Sequence, residues 1–220
     1  MKRGVGGIMK KIIIIAILGN FGSIWAKIIE IKDLNQVEHF IDSENPLIIF
    51  DMANTLIKLD KSKFDEMVPF IKKFPEFDTE NLKLKWFIYN PSQGNVKNII
   101  QDLQNKYKVI ILTSCKNGEP FYKLYQANKI GLDFNQAFPD FPLIKLEGSN
   151  GESVFDNGII CCGKNSKGEV LQKFLEKIDY MPSSIIFVDN NLQKVKSVES
   201  YMQKMKIPIT GLWYTRIHRT

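Results

Sequence analysis

The sequence predicts an α/β protein, a parallel sheet covered by helices on both faces. Three observations predict it. Residues 47–50 (LIIF), Lys108–Thr113 (KVIILT) and Ser184–Asp189 (SIIFVD) are short apolar runs, rich in β-branched residues and without polar alternation. That is the pattern of strands buried on both faces. Segments of helical period separate these runs, as crossover connections require. The length of 220 residues is room for one domain with a small insert.

Composition narrows the function classes. With 44% hydrophobic and 25% charged residues the chain is too apolar for a disordered protein. It has no heptads and no repeat of 20–50 residues, which excludes coiled coils and solenoids. Three cysteines cannot make a disulfide scaffold, and two histidines without C-x-x-C exclude the common zinc sites. The net charge is +6, but Lys2, Arg3, Lys10 and Lys11 contribute four of those charges within an N-terminal stretch that holds no acid. The remaining lysines are scattered among acids, so no nucleic-acid partner is expected.

In chain order, Lys10 and Lys11 precede an unbroken apolar run at 12–18, followed by Gly19, Gly22, Ser23 and Trp25-Ala26. A basic start, an apolar middle and a small residue at a cut point predict a signal peptide over 1–26, with Ile24 a less ideal −3 residue. A buried strand or an uncleaved anchor are the alternatives, although the run falls short of the roughly 20 apolar residues of a membrane span. Residues 33–41 have helical spacing (Leu34, Val37, Phe40, Ile41) behind Asp33 as N-cap. The first buried strand starts at Pro46. Residues 60–106 predict two or three helices. A helix over 120–130 stops at Gly131. The Pro, Gly, Asn and Ser content of 138–157 predicts loop or hairpin, and 158–162 is extended. Ser166 caps a helix to about 178 with Val170, Leu171, Phe174, Leu175 and Ile178 on one face. A helix over 191–205 and a strand over 209–214 complete the chain.

Ligands of such sheets bind at the carboxyl ends of the strands. The polar residues there are Asp51, Thr113-Ser114 and Asp189-Asn190-Asn191, with Lys167 at a helix start. An Asp at one strand end is commonly only a turn residue, but this set has a chemical logic. A carboxylate can attack phosphorus and form an aspartyl-phosphate. Mg²⁺ held by oxygen ligands offsets the repulsion between carboxylate and phosphate. Asp189 supplies a second carboxylate for it, while a hydroxyl and an ammonium hold the phosphoryl oxygens.

At these residues the chain resembles the haloacid dehalogenase (HAD) superfamily. LIIF-Asp51-Met52-Ala53-Asn54-Thr55-Leu56 is similar to its first motif, a strand followed by D-x-D-x-T-L. VIIL-Thr113-Ser114 resembles the second motif, Lys167 in KGEVL the third, and IIFV-Asp189-Asn190-Asn191 the fourth. The pieces NGII (157–160), KGEVL and GLWYT also resemble an uncharacterised bacterial group of that superfamily, DUF2608. The resemblance implies a Rossmann-like domain over 27–220 with a small helical cap at about 60–95. It implies Asp51 as nucleophile and metal ligand, the Ala53 carbonyl, Asp189 and Asn190 as further Mg²⁺ ligands, and Thr113 and Ser114 as phosphoryl binders. Lys167, or less suitably Lys164, would neutralise the phosphoryl group. The partner implied is a phosphorylated small molecule; the signal-like start predicts export from a bacterium, to the periplasm or the medium.

Two departures stand out. The second acid of the first motif, which protonates the leaving group and activates water in the superfamily's phosphatases, is Ala53 here. A methyl group can do neither, and losing such a group costs about 10²–10⁴ in rate. The second acid of the fourth motif is Asn190, which can coordinate through oxygen but adds no charge. Two expectations follow: a weakened Mg²⁺-dependent phosphohydrolase, or a degenerate domain that binds a ligand or protein without turnover. A Schiff-base variant would need a desolvated lysine among Lys58, Lys61, Lys63, Lys72 and Lys73. Gly158 to Lys164 fits G-x-x-x-x-G-K, but Asn165 replaces the hydroxyl residue and the intervening residues are apolar, which argues against a phosphate loop. Cys115, Cys161 and Cys162 read as small buried residues.

Overall fold

The structure, a computed structural model, describes residues 26–71, 89–115 and 120–219. The expected signal segment, apart from Ala26, and residues 72–88 of the expected cap insert lie outside the described residues.

The chain runs through β1 (Ala26–Ile31), a 3-10 helix (Leu34–Phe40), β2 (Pro46–Phe50), β3 (Ile57–Leu59), α1 (Lys61–Ile71), β4 (Tyr89–Pro91), α2 (Val96–Gln104) and β5 (Lys108–Thr113). It continues through α3 (Pro120–Lys129), β6 (Leu143–Gly148), β7 (Gly151–Asp156), β8 (Ile159–Cys161), α4 (Lys167–Lys177), β9 (Ser184–Asp189), α5 (Leu192–Lys204) and β10 (Ile209–Tyr214). Eight strands form one sheet in the order β1-β10-β9-β2-β5-β8-β7-β6, and β3 with β4 forms a separate two-stranded ribbon. From β1 to β8 neighbouring strands are parallel; β7 and β6 close that edge as an antiparallel hairpin. The α/β class that the sequence predicts is the class observed.

Strand alternation distributes the core to two faces. Ile48, Phe50, Val109, Ile111, Ile159, Ile186 and Val188 form one face, packed with Val96, Ile99, Ile100 and Leu103 of α2 and Ala127 of α3. Leu47, Ile49, Ile110, Leu112, Ile160, Ile185 and Phe187 form the other, against Val170, Leu171, Phe174 and Leu175 of α4 and Val195, Val198 and Met202 of α5. The central strand β2 is buried from Pro46 to Phe50. Cys161 and Cys162 fall on opposite faces, both fully buried.

The differences from expectation are local. The 33–41 segment is a 3-10 helix, with Asp33 accepting from the Asn35 amide and Gln36 returning to the Asp33 amide; so short a connection between two strands suits the tighter helix. Gln93 fastens it, accepting from the Leu34 amide at 3.1 Å and the Tyr214 hydroxyl at 3.2 Å. Strand β1 is an edge strand in which Ala26 pairs with Ile209, so the expected cut after Ala26 falls between two of its residues. The ribbon of β3 and β4 brackets α1 and the insert, a role that three-residue strands do not announce in sequence. The 138–157 segment contains the β6–β7 hairpin. Residues 159–161, inside the phosphate-loop look-alike, are strand β8.

Candidate active site

The sheet reverses its winding at β2. The crossover from β2 leads to β5 on one side, while β9 lies on the other. Crevices form outside the carboxyl ends of strands at such a point. Phe50 and Val188 are register partners, so Asp51 and Asp189 leave two adjacent strands at the same level. The Asp51 amide donates to the Val188 carbonyl at 2.8 Å, which carries the pairing up to the site itself.

Both carboxylates are sealed from solvent, at 2% and 0% exposure for Asp51 and Asp189. The Lys167 ammonium, equally buried, bridges them: it donates to Asp51 Oδ1 and, at 2.7 Å, to Asp189 Oδ2. It also stands 5.4 Å from the centre of the Phe187 ring. Burial alone would lower the lysine pKa, but Asp51 and Asp189 overcome it and hold the group above its usual value, fully charged. Burial raises the Asp189 carboxyl, against the pull of Lys167. Asp189 Oδ1 accepts from the Asn191 amide at 2.8 Å.

Lys167 reaches this position because three contacts fix the start of α4. Ser166 caps the helix by accepting from the Glu169 amide. Gly168 lets α4 lie against α5; a Cβ there would sit 2.5 Å from the Ser197 carbonyl and from Tyr201. Glu169 accepts from the amide and hydroxyl of Ser149 at 2.7 and 2.8 Å, tying α4 to the β6–β7 turn. Lys164 is exposed, so of the two candidate lysines it is Lys167 that meets the carboxylates.

The remaining expected residues surround this trio. Thr113 ends β5, 1% exposed, and its hydroxyl has no hydrogen-bond partner among the described residues. Ser114 is exposed, Ala53 is exposed in the turn after β2, and Asn190 is half-buried with its carbonyl accepting from the Trp213 indole at 3.1 Å. Asn54 holds φ at 62°, and the Thr55, Leu56 and Ile57 amides all point at the Met52 carbonyl, which folds the turn back over Asp51. Thr55 was missed as a site residue: its hydroxyl lies 3.4 Å from Asp51 Oδ2 and accepts from the Asn190 amide at 3.2 Å, so it links the two strand ends. Its place four residues after Asp51 was the available signal. Lys123 and Gln126 of α3, both buried near this edge, were also missed.

Among the described residues no three His, Cys, Asp or Glu side chains converge as a metal cluster. A cation at this site would therefore be held by two carboxylates with neutral oxygens. The donors present are all oxygen, and the carboxylate pair carries one more negative charge than Lys167 cancels. Both features suit a hard divalent ion such as Mg²⁺. They do not suit zinc, since Cys161 and Cys162 are buried thiols. The hydrogen bond with Cys115, then burial, raises the Cys161 pKa; burial pushes Cys162 up to about 12. Neither is an activated thiolate.

The chain is thus an α/β protein whose parallel sheet sets Asp51 and Asp189 at adjacent strand ends and Thr113 at a third, with Lys167 between the carboxylates. The chain belongs to the family described as "Protein of unknown function (DUF2608)", which matches residues 72–220. Thr113, Lys167 and Asp189 fall inside the matched stretch, whereas Asp51 and Ala53 precede it. An "Uncharacterized protein" of Rickettsia bellii is 22% identical over 93% of this chain and 82% of its own length. A "Putative outer membrane protein" of Chlamydia trachomatis is 26% identical over 86% of this chain and 77% of its own. A crystal structure described as a "putative haloacid dehalogenase-like hydrolase" from Burkholderia xenovorans covers 78% of this chain and 82% of its own at 10% identity, with a TM-score of 0.46. Among the described residues no helix is long and apolar enough to cross a membrane.

Proposed function

We propose that this chain is a Mg²⁺-dependent phosphohydrolase that works through an aspartyl-phosphate on Asp51 and is weakened by Ala53. The observation that carries the reading is the Lys167 ammonium set between two sealed carboxylates, with the Thr113 hydroxyl, unpartnered among the described residues, at the next strand end. Asp51 attacks the phosphorus of a phosphorylated small molecule, and the bond to the leaving oxygen breaks. Lys167 stabilises charge on the phosphoryl oxygens, and the Thr113 hydroxyl donates to one of them. Water then cleaves the aspartyl-phosphate, freeing Asp51. Mg²⁺, when bound by Asp51, Asp189, the Ala53 carbonyl and Asn190, supplies the charge that lets carboxylate and phosphate approach. No side chain at position 53 donates a proton to the leaving group, so good leaving groups are favoured.

The second reading is a domain that binds a phosphorylated ligand or a protein without turnover; Ala53 and Asn190 favour it. Phosphate release from a panel of phosphomonoesters with Mg²⁺, for the chain and its Asp51→Asn variant, separates the two. Release that needs both Mg²⁺ and Asp51 supports the hydrolase. Release no greater than the variant's sinks it and leaves the binding role. Export fits the basic and apolar start of the sequence and the outer-membrane names of the chlamydial relatives. N-terminal sequencing of protein recovered outside the cytoplasm tests it, and an intact Met1 there would count against a cleaved signal.

A further inference from the structure

Two buried lysines approach the carboxyl edge of the sheet, one from each face. Lys167 comes from α4 and meets two carboxylates. Lys123 comes from α3, is 5% exposed, and donates to the Gln126 side-chain oxygen at 3.3 Å. Among the described residues no carboxylate pairs with it. A buried ammonium whose partner among the described residues is one neutral amide is costly, and chains retain such groups where something compensates them.

Its surroundings identify what would compensate it. Gln126 is 2% exposed and its amide nitrogen has no partner among the described residues. Thr113 alternates with Leu112, which places its side chain on the face that holds Ile111 and Cys161. Cys161 is its register partner on β8, and α3 packs over that face through Ala127. Burial lowers the Lys123 pKa, opposed by the thiols of Cys115 and Cys161 and by Asp51. An ammonium, a primary amide and a hydroxyl thus share one face with spare donors and, among the described residues, without an anionic acceptor.

We propose that Lys123 and Gln126, beside Thr113, form a second anion subsite that takes a further anionic group on the phosphorylated substrate. The proposal rests on the phosphohydrolase reading and names its substrate class: a phosphorylated carboxylic acid or a compound with two phosphates. Lys123 recognises substrate and takes no part in bond breaking.

Calorimetric binding to the full chain at fixed free Mg²⁺ tests this with probes that cannot turn over. Methylphosphonate reports the phosphoryl site alone, phosphonoacetate adds a carboxylate, and methylenediphosphonate adds a second phosphonate. The expected result is that one or both dianionic probes bind at least about tenfold more tightly than methylphosphonate, the scale of one charge-assisted hydrogen bond. Whichever is preferred identifies the second group. Lys123→Met should abolish the preference while leaving methylphosphonate affinity within about twofold, and it should melt no lower than wild type, because it removes a desolvated charge and keeps the stem. Gln126→Leu should reduce the preference and gives an independent reading should the first variant fail to fold. Equal affinity for all three probes, or a preference that survives in both variants, overturns the subsite and leaves the phosphohydrolase reading standing. Failure of methylphosphonate to bind overturns both.

Discussion

Lys167 and Asp189 face each other at 2.7 Å with both charged ends sealed from water, and Asp51 takes the other side of the same ammonium. Removing one partner of a buried pair strands the rest, at about 3–5 kcal/mol. Lys167→Met should therefore lower Tm by about 10 °C at the 2–4 °C per kcal/mol usual for this size. Two uncompensated carboxylates should also attract a divalent cation more strongly. Adding Mg²⁺ should raise the variant's Tm by more than wild type's, which thermal melts with and without the ion will show.

Gly168 follows Lys167 and sits where a methyl group would press on the Ser197 carbonyl and Tyr201. The backbone carbonyl cannot turn aside as a flexible side chain would. Gly168→Ala should cost about 1–3 kcal/mol through overpacking. It should also shift Lys167 off its carboxylates, so phosphate release should fall more than the lost stability explains at temperatures where the variant stays folded. Unaltered release from a less stable variant would separate packing from positioning.

Sheet strands and their polar ends were legible because burial on both faces leaves an uninterrupted apolar run, and Asp51, Thr113 and Asp189 interrupt it at the carboxyl ends of the strands. Helix α4 was legible from its cap and apolar stripe. The helix α3 shows the limit. Its apolar pattern would bury Phe121, yet Phe121 is 68% exposed while Lys123 and Gln126 face inward. A helix that borders a polar site inverts the hydrophobic rule on which the periodicity rests. Strand β1 was illegible for a related reason: Lys27 and Glu30 break its pattern, and its partner β10 is nearly the whole chain away.

Ala53 is exposed in the turn beyond β2, so an aspartate there meets no packing barrier. Ala53→Asp restores an acid two residues after the nucleophile. With the rest of the site competent, release from phosphomonoesters with poor leaving groups should rise by about 10²–10⁴. Esters with good leaving groups should gain far less, because their departure needs little protonation. A side-by-side comparison of an alkyl and an aryl phosphate measures the difference, and a uniform gain on both would point away from proton donation.

Glu169 carries the pH dependence of the α4 anchor. Burial would raise its pKa, but the amide and hydroxyl of Ser149, with Lys173, bring it below the ordinary 4.5. A carboxylate lowered in the folded state stabilises the fold fully above the unfolded pKa of about 4.5, and that contribution drains as pH falls through the lowered value. Glu169→Gln keeps an oxygen for Ser149 and loses the charge, so at pH 7 it should melt a few degrees below wild type, in keeping with about 1 kcal/mol for the hydrogen bonds weakened. That gap should close as both proteins are taken from pH 5 towards pH 3, since wild type loses the charge the variant never had. A gap that stays constant with pH would assign the Ser149 contact to packing alone.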